Sequence, residues 1–267
     1  MEQEIRTVSI DALLEYKSCQ ARALAMELGE YVDSKKVKNE LIRGYILASL
    51  DDPQRLEAFK EEHKEIMFAS KKPFGLLKEF QIADTIAETI KVDQFLMKVF
   101  SGENQVNLGT QIRNVVITNS IDSIDKERGT VVMLAVLTGL GNLKYNRRLG
   151  KEISQLADEM LEHGILRSWF SNYLAKQEYG KDFYNYYIAL SKENTPEKEL
   201  VRITSELLET RKDEFLELLD IYVNIHAGNA PVINCGHCEY CKTHKLIERS
   251  VTVEELAGVS VNDLLRY

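Results

Sequence analysis

The stretch VNLGTQIRNVVITNSIDSIDKERGTVVMLAVLTGL, residues 106–140, decides the fold class because its composition differs from that of the chain before it. It is rich in Val, Ile and Thr, which favour strands, and the turn-forming DKERG at residues 125–129 divides it. We therefore expect two or three strands joined by hairpins in this region.

Apolar residues recur at helical spacing on both sides of this stretch, and few prolines or glycines interrupt them. The helices expected before it cover residues 11–31, 37–50, 52–67 and, as a pair, 74–102. The elements expected after it are a helix at 153–180, a strand at 183–191, and a short strand followed by a long helix within 196–228.

This order of elements predicts an α/β fold with a helical front end. We divide the chain into a helical part at residues 1–102, an α/β core at 103–230 and a cysteine-rich tail at 231–267. The tail is expected to pack on the first helix, so that all three parts form one compact domain.

Composition limits the classes of function. The chain has 267 residues, of which 44% are apolar, and 42 acidic against 34 basic residues give a net charge of −8. An acidic chain has no general attraction to nucleic acid or to anionic membranes. No run of about 18 apolar residues and no secretory signal is present, so a cytoplasmic location is predicted.

Cysteine spacing gives the strongest chemical signal in the sequence. Cys235, Cys238 and Cys241 are separated by two residues each, a spacing that lets successive thiolates face one ion or cluster. Cys19 is the other cysteine of the chain and is the natural fourth ligand. In a reducing cytoplasm these residues indicate a metal centre rather than two disulfides.

Two metals suit these ligands. Four thiolates favour a four-iron four-sulfur cluster, whereas replacement of a thiolate by His237 or His244 would favour zinc. Either centre is expected to be structural, because the protein fills all four ligand positions and leaves none open for chemistry.

Several motifs together resemble the phage-type PD-(D/E)XK exonucleases, relatives of the RecB nuclease domain and of the iron-sulfur exonucleases used in CRISPR adaptation. The motifs are Tyr16-x2-Cys19, Ile121-Asp122 before a hairpin, Lys192-Glu193 after a strand, and CGHCEYCKTHKL at residues 235–246. The resemblance spans about residues 8–250 and is most specific in the cysteine-rich tail.

What the resemblance implies is an α/β nuclease core in which carboxylates and an acidic-x-Lys pair hold Mg²⁺ or Mn²⁺ for hydrolysis. Asp122 matches the family's aspartate. On the following strand, however, Met133 stands at the acidic position and Ala135 at the lysine. A lone aspartate cannot supply the ligands or the lysine charge, so the usual metal-dependent hydrolysis is expected to be lost.

Other positions depart from the family pattern in the same direction. An early helix lacks the family's histidine at residues 44–48, and Trp169-x3-Tyr173 stands where Gln-x3-Tyr is expected. Glu103 or Gln105 is a candidate for the upstream acidic position.

Structural interpretations compete with these functional ones. Asp122 could serve the nearby turn, and Trp169, Phe170 and Tyr173 could belong to the core rather than to a base-stacking surface. The basic residues Lys144, Arg147 and Arg148 could contact phosphates or lie in solvent, and Asp125 and Glu127 of the turn could rebuild an acidic site.

Three functional hypotheses follow. The first is a catalytically degenerate nuclease-fold protein, encoded by a phage or mobile element, that binds DNA or a protein such as a host nuclease or defence complex. The second is an active metal-dependent DNA exonuclease in phage recombination. The third is a metal or redox sensor that reads the state of the cysteine cluster.

Overall fold

The computed structural model describes residues 5–50, 53–67, 78–137, 140, 163–192 and 196–244. The basic group Lys144, Arg147 and Arg148, together with Glu193, lies outside the described residues.

The helices occupy most of the regions where apolar spacing predicts them. They are α1 (Ile10–Ser18), α2 (Gln20–Glu27), α3 (Ser34–Ser49), α4 (Pro53–Glu62), α5 (Lys64–Met67), α6 (Lys78–Lys91), α7 (Gln94–Val99), α8 (Gly164–Tyr179), α9 (Ser205–Glu209), α10 (Lys212–His226) and α11 (Glu239–Thr243). None of these described helices combines the length and the apolar character needed to cross a bilayer.

The described strands form two small sheets. They are β1 (Arg6–Ser9), β2 (Val106–Ile112), β3 (Val115–Ile121), β4 (Ser123–Asp125), β5 (Thr130–Leu137), β6 (Tyr184–Ser191) and β7 (Lys198–Ile203). Sheet A has the order β1-β3-β2, and sheet B has the order β4-β5-β6-β7. In sheet A, β1 runs parallel to β3; in sheet B, β5 runs parallel to β6, and the other pairs are antiparallel.

Sheet B is covered on both faces, which accounts for the almost continuous apolar sequence of β5. Val132 and Leu134 point into a cluster built by α3, α6 and α7. Val131, Met133 and Ala135 point into the opposite cluster, which includes residues of α8. A charged side chain on either face of β5 would therefore enter an apolar layer.

A third cluster joins sheet A to α1, α8 and α10. Phe170 and Phe215 are fully buried there with their ring centroids 5.0 Å apart, and Trp169 packs 4.9 Å from Phe215. Phe170 is therefore a core aromatic.

The predicted α/β fold class is confirmed, with several local differences. Residues 106–137 contain four strands rather than two or three, the helix expected at 52–67 is divided into α4 and α5, and the long helix expected before residue 228 is divided into α9 and α10. The sequence shows no strand at β1, because four residues that pair in parallel with a distant strand leave little periodic pattern. The expected helix over residues 11–31 is also wrong as one piece, since Cys19 adopts an extended conformation between α1 and α2. The backbone N–H of Cys19 still donates to Glu15 at 2.9 Å, so the chain bends without losing that hydrogen bond.

Candidate functional site

Asp122 is the single residue between β3 of sheet A and β4 of sheet B. The strand passes from one sheet to the other at this point, and the Asp122 side chain lies inside the junction, only 2% exposed. A buried carboxylate requires partners, because leaving its charge unpaired away from water is costly.

Three donors surround the Asp122 carboxylate. Arg43, on α3, forms an ion pair with Oδ1 through Nη2 and donates from Nε to Oδ2 at 3.2 Å. The backbone N–H of Leu134 on β5 donates to Oδ2 at 2.7 Å. Asp122 thus ties α3 and β5 to the strand junction, and it does not serve the turn as the structural interpretation suggests.

Arg43 also contacts a second carboxylate. Its Nη1 lies 3.3 Å from Oε2 of Glu40, one turn earlier on the same helix. Burial disfavours the charged form of Arg43, but the charges of Asp122 and Glu40 outweigh burial and raise the pKa of Arg43 above its usual value. A permanent cation therefore stands between two carboxylates.

Neither Arg43 nor Glu40 is identified as a site residue from the sequence. The weak signal is Arg43, a charged residue inside the apolar run LIRGYIL at residues 41–47. The 79 residues that separate Arg43 from Asp122 conceal the contact until the chain is folded.

The other acidic candidates have different roles. Asp125 caps the hairpin turn by accepting from the backbone N–H groups of Glu127 and Arg128 at 3.0 and 2.8 Å. Glu103 lines a cavity of about 560 Å³ together with Asp125 and Glu127, and Gln105 accepts a hydrogen bond from Arg55. Among the described residues no group of three carboxylates converges on a common point.

The Trp169-x3-Tyr173 pair forms a stacked arrangement on α8, with ring centroids 5.5 Å apart and planes 12° from parallel. Both rings line a second cavity of about 460 Å³, and both also pack on the cluster beneath sheet A. Trp169 and Tyr173 therefore pack against the core on one side and line the cavity on the other.

The four cysteines come together as the sequence predicts. Their sulfur atoms lie within 4.8 Å of one another, with Cys19 and Cys241 buried and Cys235 and Cys238 partly exposed. Gly236 adopts a positive φ of 70°, a conformation that favours glycine, and this turn places Cys235 and Cys238 on one side of the loop.

Backbone N–H groups support the sulfur atoms. The amide of Cys238 donates to Sγ of Cys235 at 3.3 Å, and the amide of Cys241 donates to Sγ of Cys238 at 3.4 Å. Burial opposes ionisation of Cys235, but donors from Cys238 and His237 outweigh it and lower the pKa of Cys235 to about 6. Burial, supported by the neighbouring thiols, raises the pKa of Cys238 to about 12.

The two histidines lie outside the cysteine group. His237 Nδ1 is 2.7 Å from the carbonyl oxygen of Cys235, and His244 Nδ1 is 2.9 Å from that of Tyr240. A carbonyl oxygen only accepts, so each Nδ1 carries a proton. Among the described residues, the group of ligand atoms that lie within 4.8 Å of one another contains neither imidazole. The ligand set that the structure assembles is Cys19, Cys235, Cys238 and Cys241.

The cysteine group joins the tail to the N-terminal helices. The sulfurs of Cys19 and Cys241 are 3.6 Å apart although the residues are separated by 222 positions. Backbone contacts reinforce this junction: Ala21 donates to the carbonyl of Ile233 at 3.1 Å, and Ile233 donates to the side chain of Gln20 at 2.9 Å.

The two sheets, the flanking helices and the aspartate at the strand junction define a nuclease-fold domain of the PD-(D/E)XK class. The chain belongs to the family described as PDDEXK-like domain of unknown function (DUF3799), whose model matches residues 9–244. The predicted resemblance is thereby confirmed.

A solved structure has the same fold. It is the crystal structure of a protein titled "Putative exonuclease" from Eubacterium rectale, which matches with a TM-score of 0.71 at 17% sequence identity. The match covers 95% of this chain and 94% of that one. No curated protein matches the sequence.

Proposed function

We propose that this chain is a catalytically degenerate nuclease-fold protein that works by binding a partner. The observation that carries the proposal is the Arg43 guanidinium, which is held between Asp122 and Glu40. A fixed cation neutralises the carboxylates that a divalent metal ion would need as ligands.

The composition of β5 supports the same conclusion. Hydrolysis of a phosphodiester by this fold needs hard oxygen ligands for the metal and a cation near the attacked phosphate. Met133 and Ala135, at the positions that correspond to the acidic residue and the lysine, are 1% and 8% exposed within an apolar cluster. Asp122 has no partner on β5 with which to hold a catalytic ion.

The cleavage assay is the first test of this proposal. Linear single- and double-stranded DNA incubated with the metallated protein and Mg²⁺ or Mn²⁺ should remain intact. The Asp122→Ala variant serves as the control for contaminating nucleases. Cleavage by the wild-type protein that is lost in Asp122→Ala would contradict the proposal and restore the exonuclease hypothesis.

One observation favours that second candidate, an active exonuclease. Glu40 and Asp122 both contact Arg43, so rotation of the Arg43 side chain away from them would leave two carboxylates near each other. Activity would then depend on displacement of Arg43 by DNA or by a metal ion. The DNA cleavage assay repeated at high Mn²⁺ concentration tests this possibility.

The partner in our proposal is a protein. A net charge of −8 argues against general attraction to DNA, although a local contact with DNA is compatible with it.

Three large apolar side chains are exposed near sheet B, namely Val92 at 82%, Phe95 at 57% and Leu200 at 52%. Phe95 and Leu200 border the 560 Å³ cavity, whose floor includes Val132 and Ile188. Exposed apolar surface beside a cavity is typical of protein-binding sites.

The resemblance to phage-type exonucleases supports a phage origin, and the absence of the catalytic groups supports a role in binding a partner. We infer that the gene belongs to a phage or mobile element, and that the partner is a host nuclease or defence complex. A protein that keeps the fold and the four cysteines but lacks the catalytic groups is suited to act by binding a partner through its surface.

Mutation can show whether the exposed apolar residues beside the 560 Å³ cavity bind a protein from host lysate. The double variant Phe95→Asp, Leu200→Asp should lose a protein that the wild type retains, because two charges would enter an apolar contact. Val32→Asp is the matched control, since Val32 is 67% exposed but does not line the cavity. Retention of DNA with no protein recovered would count against a protein partner.

A further inference from the structure

The separation of the four sulfur atoms carries information about the metal. Sγ of Cys241 lies 3.6 Å from Sγ of Cys19 and 3.9 Å from Sγ of Cys235, and all four sulfurs lie within 4.8 Å of one another. A single tetrahedral ion with metal–sulfur bonds of about 2.3 Å places its ligands about 3.8 Å apart. The separations of 3.6 and 3.9 Å match this value.

A four-iron cluster does not fit the same site. In such a cluster each thiolate binds a different iron, and the irons and inorganic sulfides occupy the space between the thiolates. Sulfurs 3.6 Å apart are already in van der Waals contact, which leaves no room for those atoms between Cys19 and Cys241. The iron-sulfur cluster that the four thiolates favour in the sequence therefore disagrees with the sulfur spacing in this structure.

The surrounding backbone keeps the cysteines close together. Ile233 is bound to α2 on the N-terminal side of the cysteine loop through two hydrogen bonds. On the other side, the rings of Tyr31 and Tyr240 meet edge to face with centroids 5.0 Å apart. To admit a cluster, the sulfur atoms would have to move apart while these contacts hold the loop against α2.

We propose that the four cysteines bind one tetrahedral zinc ion instead of an iron-sulfur cluster. Zinc accepts four thiolates in a closed structural site and has no redox chemistry, which suits a centre that joins two chain segments. The amide donors from Cys238 and Cys241 provide the outer contacts that orient such ligands. This inference rests on the expectation, drawn from the cysteine spacing, that the four cysteines hold a metal.

Metal analysis of protein purified without oxygen, from cells supplied with both iron and zinc, tests the inference. We expect one zinc per chain, no acid-labile sulfide, and X-ray absorption showing sulfur at about 2.3 Å without a neighbouring metal. Substitution by Co²⁺ should give the visible spectrum of a tetrahedral thiolate site. His237→Ala and His244→Ala should keep the metal content unchanged, because neither ring is a ligand.

The other outcomes separate the two proposals. Iron and sulfide at about four each per chain would overturn zinc and retain a metal centre. A single iron would also overturn zinc, although it would agree with the sulfur spacing. Absence of any metal in folded protein would overturn both the zinc inference and the metal centre, while leaving the nuclease-site proposal to the cleavage assay.

Discussion

Replacing Arg43 by alanine should lower the free energy of unfolding by about 3–5 kcal/mol, because it leaves a buried charge uncompensated. Asp122 is 2% exposed, and the Leu134 amide would be its remaining described donor. Chemical denaturation monitored by circular dichroism measures the change. Arg128→Ala is the matched control, since Arg128 forms a 3.7 Å ion pair with Asp125 at the surface. That variant should change stability by at most about 0.5 kcal/mol.

A double-mutant cycle separates the contribution of the ion pair to the free energy of unfolding from the contribution of side-chain packing. If Arg43 and Asp122 act on each other, removing both should cost less than the sum of the single changes by about 1–3 kcal/mol. Equal effects of Arg43→Ala and Arg128→Ala would show that the Arg43–Asp122 pair contributes little, and would contradict the role we assign to Arg43.

If the four cysteines hold a metal as we propose, chelation should release the tail from the N-terminal helices while much of the fold remains. The backbone hydrogen bonds from Lys242 to Cys238 and from His244 to Tyr240 belong to the short helix α11, which is too short to persist alone. Hydrogen exchange of residues 231–244 should therefore become fast after chelation, whereas β5 and β6 should stay protected by the cores on both faces of sheet B.

Cys19→Ala tests the same junction without a chelator. It removes the ligand that connects the tail to α1 and α2, so metal content and protection of residues 231–244 should both fall. Unchanged exchange of the tail in this variant and after chelation would contradict a structural role for the centre.

The same samples address the metal-sensing hypothesis. If partner capture disappears on chelation while sheet B stays protected, the cysteine centre controls binding. If capture persists in the stripped protein, sensing is excluded and the centre serves stability alone.

The parts of the fold that the sequence predicts are those with a local cause. Helices such as α6 and α7 follow from apolar spacing, and β6 follows from its three tyrosines and the apolar residues after them. Strand β1 and the bend at Cys19 depend on distant partners, namely β3 for the strand and Cys241 for the cysteine. A local pattern cannot show either of them.

The two candidate sites differ in the same way. The cysteine centre is predictable because cysteine is rare and its chemistry identifies the partner wherever it lies in the chain. The ion pair of Arg43 with Asp122 is not predictable, because arginines on helices are common and usually lie in solvent. The sequence indicates that β5 lacks the acidic residue and the lysine. The structure shows that Arg43 is the cation beside Asp122.

A crystal structure of the wild-type protein soaked in Mn²⁺ tests the central claim most directly. We expect Arg43 to remain paired with Asp122 and no anomalous manganese peak within coordinating distance of its carboxylate. A manganese ion bound to Asp122, with Arg43 displaced and a second carboxylate such as Glu40 completing the site, would contradict the account and identify the chain as a metal-dependent nuclease.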